Sequence, residues 1–372
     1  MDKITEKILI ILFRMGIRPS VFVETYKRRH CNIHKTIEYF ESHSSGPEGY
    51  FKMKKTEIFD IDAVAKKLDR ENSTAINISD KWYPELLKQI YCPPPVLFCK
   101  GGKINDASNC IAVVGTRKNT VYGRDAAIYI SGQLSKAGIT IVSGMAEGID
   151  YWVHDSALKE RGGTIGVLGC GIDMLYPASN KELFKKIISN GSLLTEFLPG
   201  TEPLKQNFPA RNRIISGISM GVVIVEAPEK SGALITAEFA LQQDREVFSV
   251  PGSIFNPESA GCNNLLKIGA KPVSKIDDIL CEISHLYKGK LPDIKNYQQK
   301  SFFRQNDFRD KDLDLNRDSR IVYNLIGLKP VSLEEIASAT KFETGKILEI
   351  IAELEIKNVI IEKTFNCYAR NC

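Results

Sequence analysis

The sequence predicts an α/β protein whose mainly parallel sheet of at least six strands follows a small helical domain and precedes a winged helix. Between Ile111 and Val250, short apolar runs alternate with stretches of helical periodicity, the pattern of βαβ units wound into one sheet. Each of these runs ends in a loop containing glycine or proline. The carboxyl edge of the sheet is therefore a row of open loops, where doubly wound folds hold their ligands. Beyond residue 317 the pattern changes to three short helices and a hairpin.

Residues 1–75 read as all-helical: Ile4 to Met15, a break at Gly16 and Pro19, then Val21 to His30, Lys35 to Phe40 and Asp62 to Asp69. Lys27, Arg28 and Arg29 could touch a nucleic-acid backbone, but a run of like charge at a helix end is usually a solvated face, and that reading is preferred. Residues 76–285 form the sheet domain. Pro93 to Pro95 cannot be helical and give a stiff approach to a strand over Val96 to Cys99. Ile111 to Val114 is a continuous β-branched run, expected of a strand buried on both faces. Gly115 ends it; Ala126, Ala127, Ile130, Leu134 and Ala137 recur at helical spacing, Gly138 stops the helix, and Ile139 to Val142 makes the next strand.

GTIGVLGCG, SLLTEFLPG, GVVIVEAP and EVFSVPG supply the remaining strands. Residues 286–316 are polar and read as a linker. In 317–372, a helix spans Ser319 to Ile326, a Ser332/Glu335 capping box opens a second, Thr344 opens a third, and a hairpin crosses Thr364 to Asn366.

Net charge is +5, yet no segment is broadly basic: residues 1–75 carry 14 basic and 11 acidic groups, 76–285 carry 21 of each, 286–316 carry 7 and 5, and 317–372 carry 8 and 8. An anion site must come from local clustering. The nine cysteines never form CxxC, which argues for reduced thiols and against zinc or any other metal. No 18-residue apolar run exists and the first residues read as a helix rather than a signal peptide, so a cytoplasmic protein without membrane association is expected.

Two clusters carry the chemistry. Gly115, Thr116, Arg117 and Lys118 follow the first central strand, and Ser143 and Gly144 follow the second. Side by side, these loops would offer bare N–H groups and a bidentate guanidinium to a phosphate. GTRKNTVYG is not GxGxxG, and Ser-Gly stands where a ribose-binding acid would be, so no nicotinamide or other cofactor is expected. In LKQNFPARNRIISG, Lys205, Arg211 and Arg213 bracket Phe208, with Pro209 holding the chain extended before a helix that starts near Asn212. Cations around one ring suit the phosphates and bases of a single strand. The alternative is a core Phe208 with an arginine paired to Glu196 or Glu226; for the whole set this is less economical, since unpaired buried cations are costly. Ser231-Gly232 and Pro251-Gly252 complete the edge.

Asp150 and His154 lie at i and i+4 on one helix face, but no nucleophile motif accompanies them and a structural role is preferred. Glu196 and Glu226 are read as ordering an arginine rather than as an acid/base pair.

VVGTRKNTVYG, VSGMAEGIDYWVH, GVLGCGIDMLYP, FPARNRIISG, VIVEAPEKSGALITA and VPG, in this order, resemble the DNA-processing protein A (DprA/Smf) family from about Trp82 to Ile279. The resemblance implies an extended Rossmann-like fold that binds single-stranded DNA, dimerises, and delivers the DNA to the RecA recombinase during natural transformation, without catalysis. Carried over, it assigns the DNA site to Gly115 to Arg117, Ser143, Gly144, Lys205, Arg211, Asn212, Arg213, Ser231 and Gly232, with Phe208 contacting a base. Cys92 departs from the aspartate usual before the prolines. The competing class is a nucleotide-binding phosphoribohydrolase on a related sheet, for which GALITAE, Gly232 to Glu238, approaches the required loop but lacks its double glycine. Some members carry a winged helix; here its third helix, Gly345 to Ile356, sets one cation, Lys346, against Glu349, Glu353 and Glu355, so it is expected to dock protein rather than read DNA.

Overall fold

A computed structural model describes residues 1–44, 60–102, 108–287, 315–327, 331–357, 359–364 and 366–370. Nearly all of the expected linker lies outside them. The chain forms two compact units, Met1–Gln299 and Lys300–Cys372.

The first unit is built on nine strands: β1 (Ser73–Asn77), β2 (Val96–Gly101), β3 (Cys110–Val114), β4 (Thr140–Ser143), β5 (Thr164–Val167), β6 (Ser192–Thr195), β7 (Gly221–Ile224), β8 (Glu246–Ser249) and β9 (Lys271–Pro272). They are ordered β1-β2-β6-β5-β4-β3-β7-β8-β9. Pairing is parallel from β6 to β9 across the sheet, and antiparallel where β2 meets β6 and β1. The fold is thus Rossmann-like, with an antiparallel extension on one edge. Strand β3 is buried throughout, with Ile111 and Val113 in one core cluster and Ala112 and Val114 in the other. Alternation along a pleated strand sends successive side chains to opposite faces, and both faces are covered.

The helices Val121–Lys136 and Ile149–Ala157 pack on the Ile111 face, and Asn207–Ile218 on the Ala112 face. The N-terminal helices, Lys3–Leu9 continuing as a π-turn to Arg14, Pro19–Arg28, Ile33–Ser44 and Ile61–Arg70, follow the expected pattern. Ile8, Phe22 and Phe40 share a core cluster with Leu97 and Phe98 of β2. Residues 1–75 are not wholly helical: β1 straddles the expected 75/76 boundary, and Asn77 donates to the buried Thr5 hydroxyl at 3.1 Å. Each fully buried Ile or Phe is worth about 1.5–3 kcal/mol, so these helices are joined to the sheet by a large apolar contribution.

The second unit contains helices Arg317–Leu325, Leu333–Thr340 and Thr344–Ile356 and a sheet of β10 (Val331–Ser332), β11 (Ile360–Thr364) and β12 (Cys367–Arg370) in the order β10-β12-β11. The Ser332/Glu335 capping box is formed. Ile336, Ile347, Ile350, Ile351 and Leu354 close a core of its own. Among the described residues no helix is long and apolar enough to cross a membrane, and no cluster of His, Cys, Asp or Glu could hold a metal ion.

Candidate nucleic-acid interface

The loop after β3 is held by its backbone. Thr116 donates its N–H to the Glu226 carbonyl at 2.7 Å and accepts from the N–H of Ile149 at 3.1 Å. Gly148, at φ +79°, passes so close that a Cβ there would lie 2.4 Å from the Thr116 carbonyl oxygen, so only glycine fits. Buried Glu226 accepts from the Thr120 N–H at 2.8 Å and hydroxyl at 2.7 Å and from Asn256 Nδ2 at 3.3 Å, tying the loops after β3, β7 and β8 together. Arg117 and Lys118 remain exposed on this fixed base.

The expectation of two bare nests is corrected. Besides the Thr116 N–H, the Gly144 N–H is spoken for, donating to Asp150 at 3.1 Å. Ser143 is fully buried and its hydroxyl donates to the Val113 carbonyl at 2.7 Å. These atoms satisfy the crossing of β4 into the next helix.

The expected helix start near Asn212 is also corrected. The helix runs Asn207–Ile218, with Pro209 in its first turn, where the missing N–H costs nothing. Arg211 is 4 % exposed: its Nη1 donates to the Gly144 carbonyl at 2.5 Å and to the Val167 carbonyl, and its Nε to Asn212 Oδ1 at 3.2 Å. Burial pushes its pKa down to about 10, against the attraction of the Asp150 carboxylate. Burial in turn raises the Asp150 carboxyl, opposed by Arg211 and by N–H donors of Ala146 and Gly144. His154 bonds Thr164 at 2.7 Å, its Nε2 has no partner, and burial drives its pKa down to about 3. Asp150 and His154 thus serve different structural partners.

Arg213 leaves the cluster altogether. It pairs with Glu196 at 2.5 Å, both side chains 16 % exposed, so that pair is as expected, while Glu226 orders Thr120 and Asn256 rather than an arginine. Asn212 donates to the Gly232 carbonyl at 3.2 Å. Ser231 caps the helix Gly232–Gln242, accepting from the Ala233 N–H at 3.2 Å. GALITAE is therefore the opening of a helix, with Thr236 buried and Glu238 exposed. Lys205 is exposed in the turn before the Phe208 helix.

Phe208 is half-buried above Gly169, where a Cβ would lie 2.9 Å from its Cδ1. The Arg117 and Arg211 guanidinium carbons lie 5.6 and 5.9 Å from its ring centre. Tyr176, to which no role was assigned from sequence, completes the set with its ring 5.5 Å away. These four side chains line one pocket with Gly144, Met145, Glu147 and Cys170. The lining is not wholly cationic, because it includes Glu147, which accepts from the Ser179 hydroxyl at 2.6 Å.

Residues 74–284 match the family model of DNA recombination-mediator protein A, and residues 309–362 that of the DprA winged helix domain. The chain belongs to the DNA-processing protein A (DprA/Smf) family. It is 46% identical over 209 residues to DNA processing protein DprA of Bacillus subtilis, covering 56% of this chain and 70% of that one. It is 34% identical over 327 residues to protein Smf of Synechocystis, covering 81% of each. The solved structure of DprA from Streptococcus pneumoniae superposes with a TM-score of 0.62 at 34% identity, covering 76% of this chain and 99% of that one. The Helicobacter pylori protein, whose structure is described by its single-stranded DNA binding mode, gives 0.52 at 30% identity over 58% of this chain and 97% of its own.

Proposed function

We propose that this chain is a non-catalytic single-stranded DNA-binding protein that protects incoming strands and loads the RecA recombinase on them, acting as a homodimer through its sheet domain. The observation that carries the reading is the Phe208 ring, half-buried between Arg117 and Arg211 beside Tyr176. A base stacks on such a ring whatever its identity, while exposed Arg117, Lys118 and Lys205 meet the phosphates. Glu147, which also lines the pocket, disfavours a phosphate inside it, so the base enters while the exposed cations hold the backbone outside. Ser143, Gly144, Arg211, Asn212, Ser231 and Gly232 position this surface rather than supplying its charge, and Arg213 supports the helix behind it. Delivery to RecA and dimerisation rest on family membership.

The test is a titration with single-stranded and duplex DNA. Binding favours the single strand, tolerates any sequence and weakens with salt; Phe208→Ala costs about 1–3 kcal/mol of affinity if one base stacks there. Equal affinity for duplex, or no effect of the substitution, overturns the reading. RecA filament growth on coated single strands with and without the protein tests the delivery step, and sedimentation equilibrium tests the dimer.

A further inference from the structure

We infer that Phe255, with Ile254, forms a second base platform, so that one strand runs along the carboxyl edge from the Phe208 pocket to the loop after β8. The inference rests on the single-strand reading above. Phe255 and Ile254 are 89 % and 83 % exposed, a costly display for two large apolar side chains at one loop tip. The tip is not a loose loop. Asn256, the next residue, bonds the same Glu226 carboxylate that holds Thr120, and the Tyr122 hydroxyl donates to the Pro251 carbonyl at 2.7 Å. Phe255 donates its own N–H to Ser253 Oγ at 3.3 Å. An exposed ring on a loop tied to the arginine loop through one carboxylate is suited to stacking, because little backbone order has to be imposed when a base arrives.

The sheet order gives the path. From β5 to β8 the neighbours run β5-β4-β3-β7-β8, all parallel. Phe208 covers Gly169 just after β5, and Phe255 follows β8. Four steps of about 4.8 Å separate the strand ends by about 19 Å. Between them lie exposed Arg117 and Lys118 after β3 and exposed Lys230 after β7. A row of cations with an aromatic at each end matches a backbone with bases turned to the protein. At about 3.4 Å per stacked nucleotide this distance takes about six nucleotides, and fewer if the strand is stretched.

The experiment is a fluorescence anisotropy titration of the full chain and its Phe255→Ala variant with oligothymidylates from about 4 to about 16 nucleotides. The variant is expected to lose affinity about five-fold or more on the longer oligomers, with the loss shrinking towards the shortest, which reach only the Phe208 pocket. Phe208→Ala is expected to weaken binding at every length. Equal binding by Phe255→Ala and the parent at all lengths overturns the inference, as does a loss that is the same for the shortest and longest oligomers. A fall in the mass of the variant at sedimentation equilibrium also overturns it, since the tip would then be a contact between copies. Failure of the parent to bind any oligomer overturns the single-strand reading itself.

Discussion

Arg117 and Arg211 flank the same ring, yet replacing them has opposite consequences. Arg211→Met removes donors from the Gly144 and Val167 carbonyls and leaves the buried Asp150 carboxylate without its opposing charge. Leaving two buried carbonyls without their donor, beside a buried carboxylate that has lost its opposing charge, costs about 3–5 kcal/mol. In a unit of this size each kcal/mol lowers the melting temperature by about 2–4 °C, so a drop of about 6–20 °C is expected. Arg117 is exposed, and Arg117→Ala should stay within about 0.5 kcal/mol of the parent stability. The DNA assay reverses the order. With both proteins folded, Arg117→Ala weakens single-strand binding and reduces the log–log salt slope by about 0.7, one phosphate contact. Thermal melts followed by circular dichroism, paired with anisotropy titrations at two salt concentrations, separate the effects. Arg211→Met melting like the parent would refute the argument, because the guanidinium could not then be structural. Charge reversal at both positions is accordingly expected to unfold the protein rather than leave a folded one unable to bind.

His154 predicts an acid sensitivity: its pKa is about 3 in the fold against 6.5 unperturbed, so as pH falls through that window the unfolded chain takes up a proton the fold refuses. Stability then drops by about 1.4 kcal/mol per pH unit; Asp150, raised by burial, acts with the opposite sign, so the comparison is with His154→Gln, whose chemical denaturation should depend less steeply on pH, and identical profiles would contradict the assignment. Deleting the residues after Asn316 should leave single-strand affinity nearly unchanged, because Lys346 on the third winged-helix helix is paired with Asp318 and held 4.5 Å from the Phe342 ring centre; tight duplex binding by the second unit alone would show the opposite. Gly169→Ala should push the Phe208 ring aside and weaken single-strand binding with a stability cost of about 1–3 kcal/mol; unaltered affinity would show that ring placement is unimportant.

The strands from β3 to β8 were legible because each is a local apolar run closed by a glycine or proline, and the capping box because it needs only two residues three apart. Strand β1 was hidden: Ser73 to Asn77 has polar ends and becomes a strand only through its register with β2. The different partners of Arg211 and Arg213 have a geometric cause. With the helix expected to start near Asn212, Arg211 stays on the extended approach, free to join Lys205 and Arg213 around Phe208. On the observed helix Arg211 and Arg213 diverge by about 200°, which sends Arg211 to Gly144 and Arg213 to Glu196. Tyr176 was missed because its place beside Phe208 comes from packing between distant loops, which no spacing records.

The place of β2 in the sheet has a consequence for the order in which the chain can be completed on the ribosome. Its outer neighbour β1 precedes it, but its inner neighbour β6 begins at Ser192, about 90 residues after β2 ends, or about 5–20 s at ordinary rates of synthesis. For that interval the β1–β2 ribbon presents an unpaired edge beside Leu97 and Phe98. The helices that share their cluster, carrying Ile8, Phe22 and Phe40, are already made and can cover one face of the ribbon. The N-terminal segment is therefore placed to shelter a nascent strand until its partner arrives.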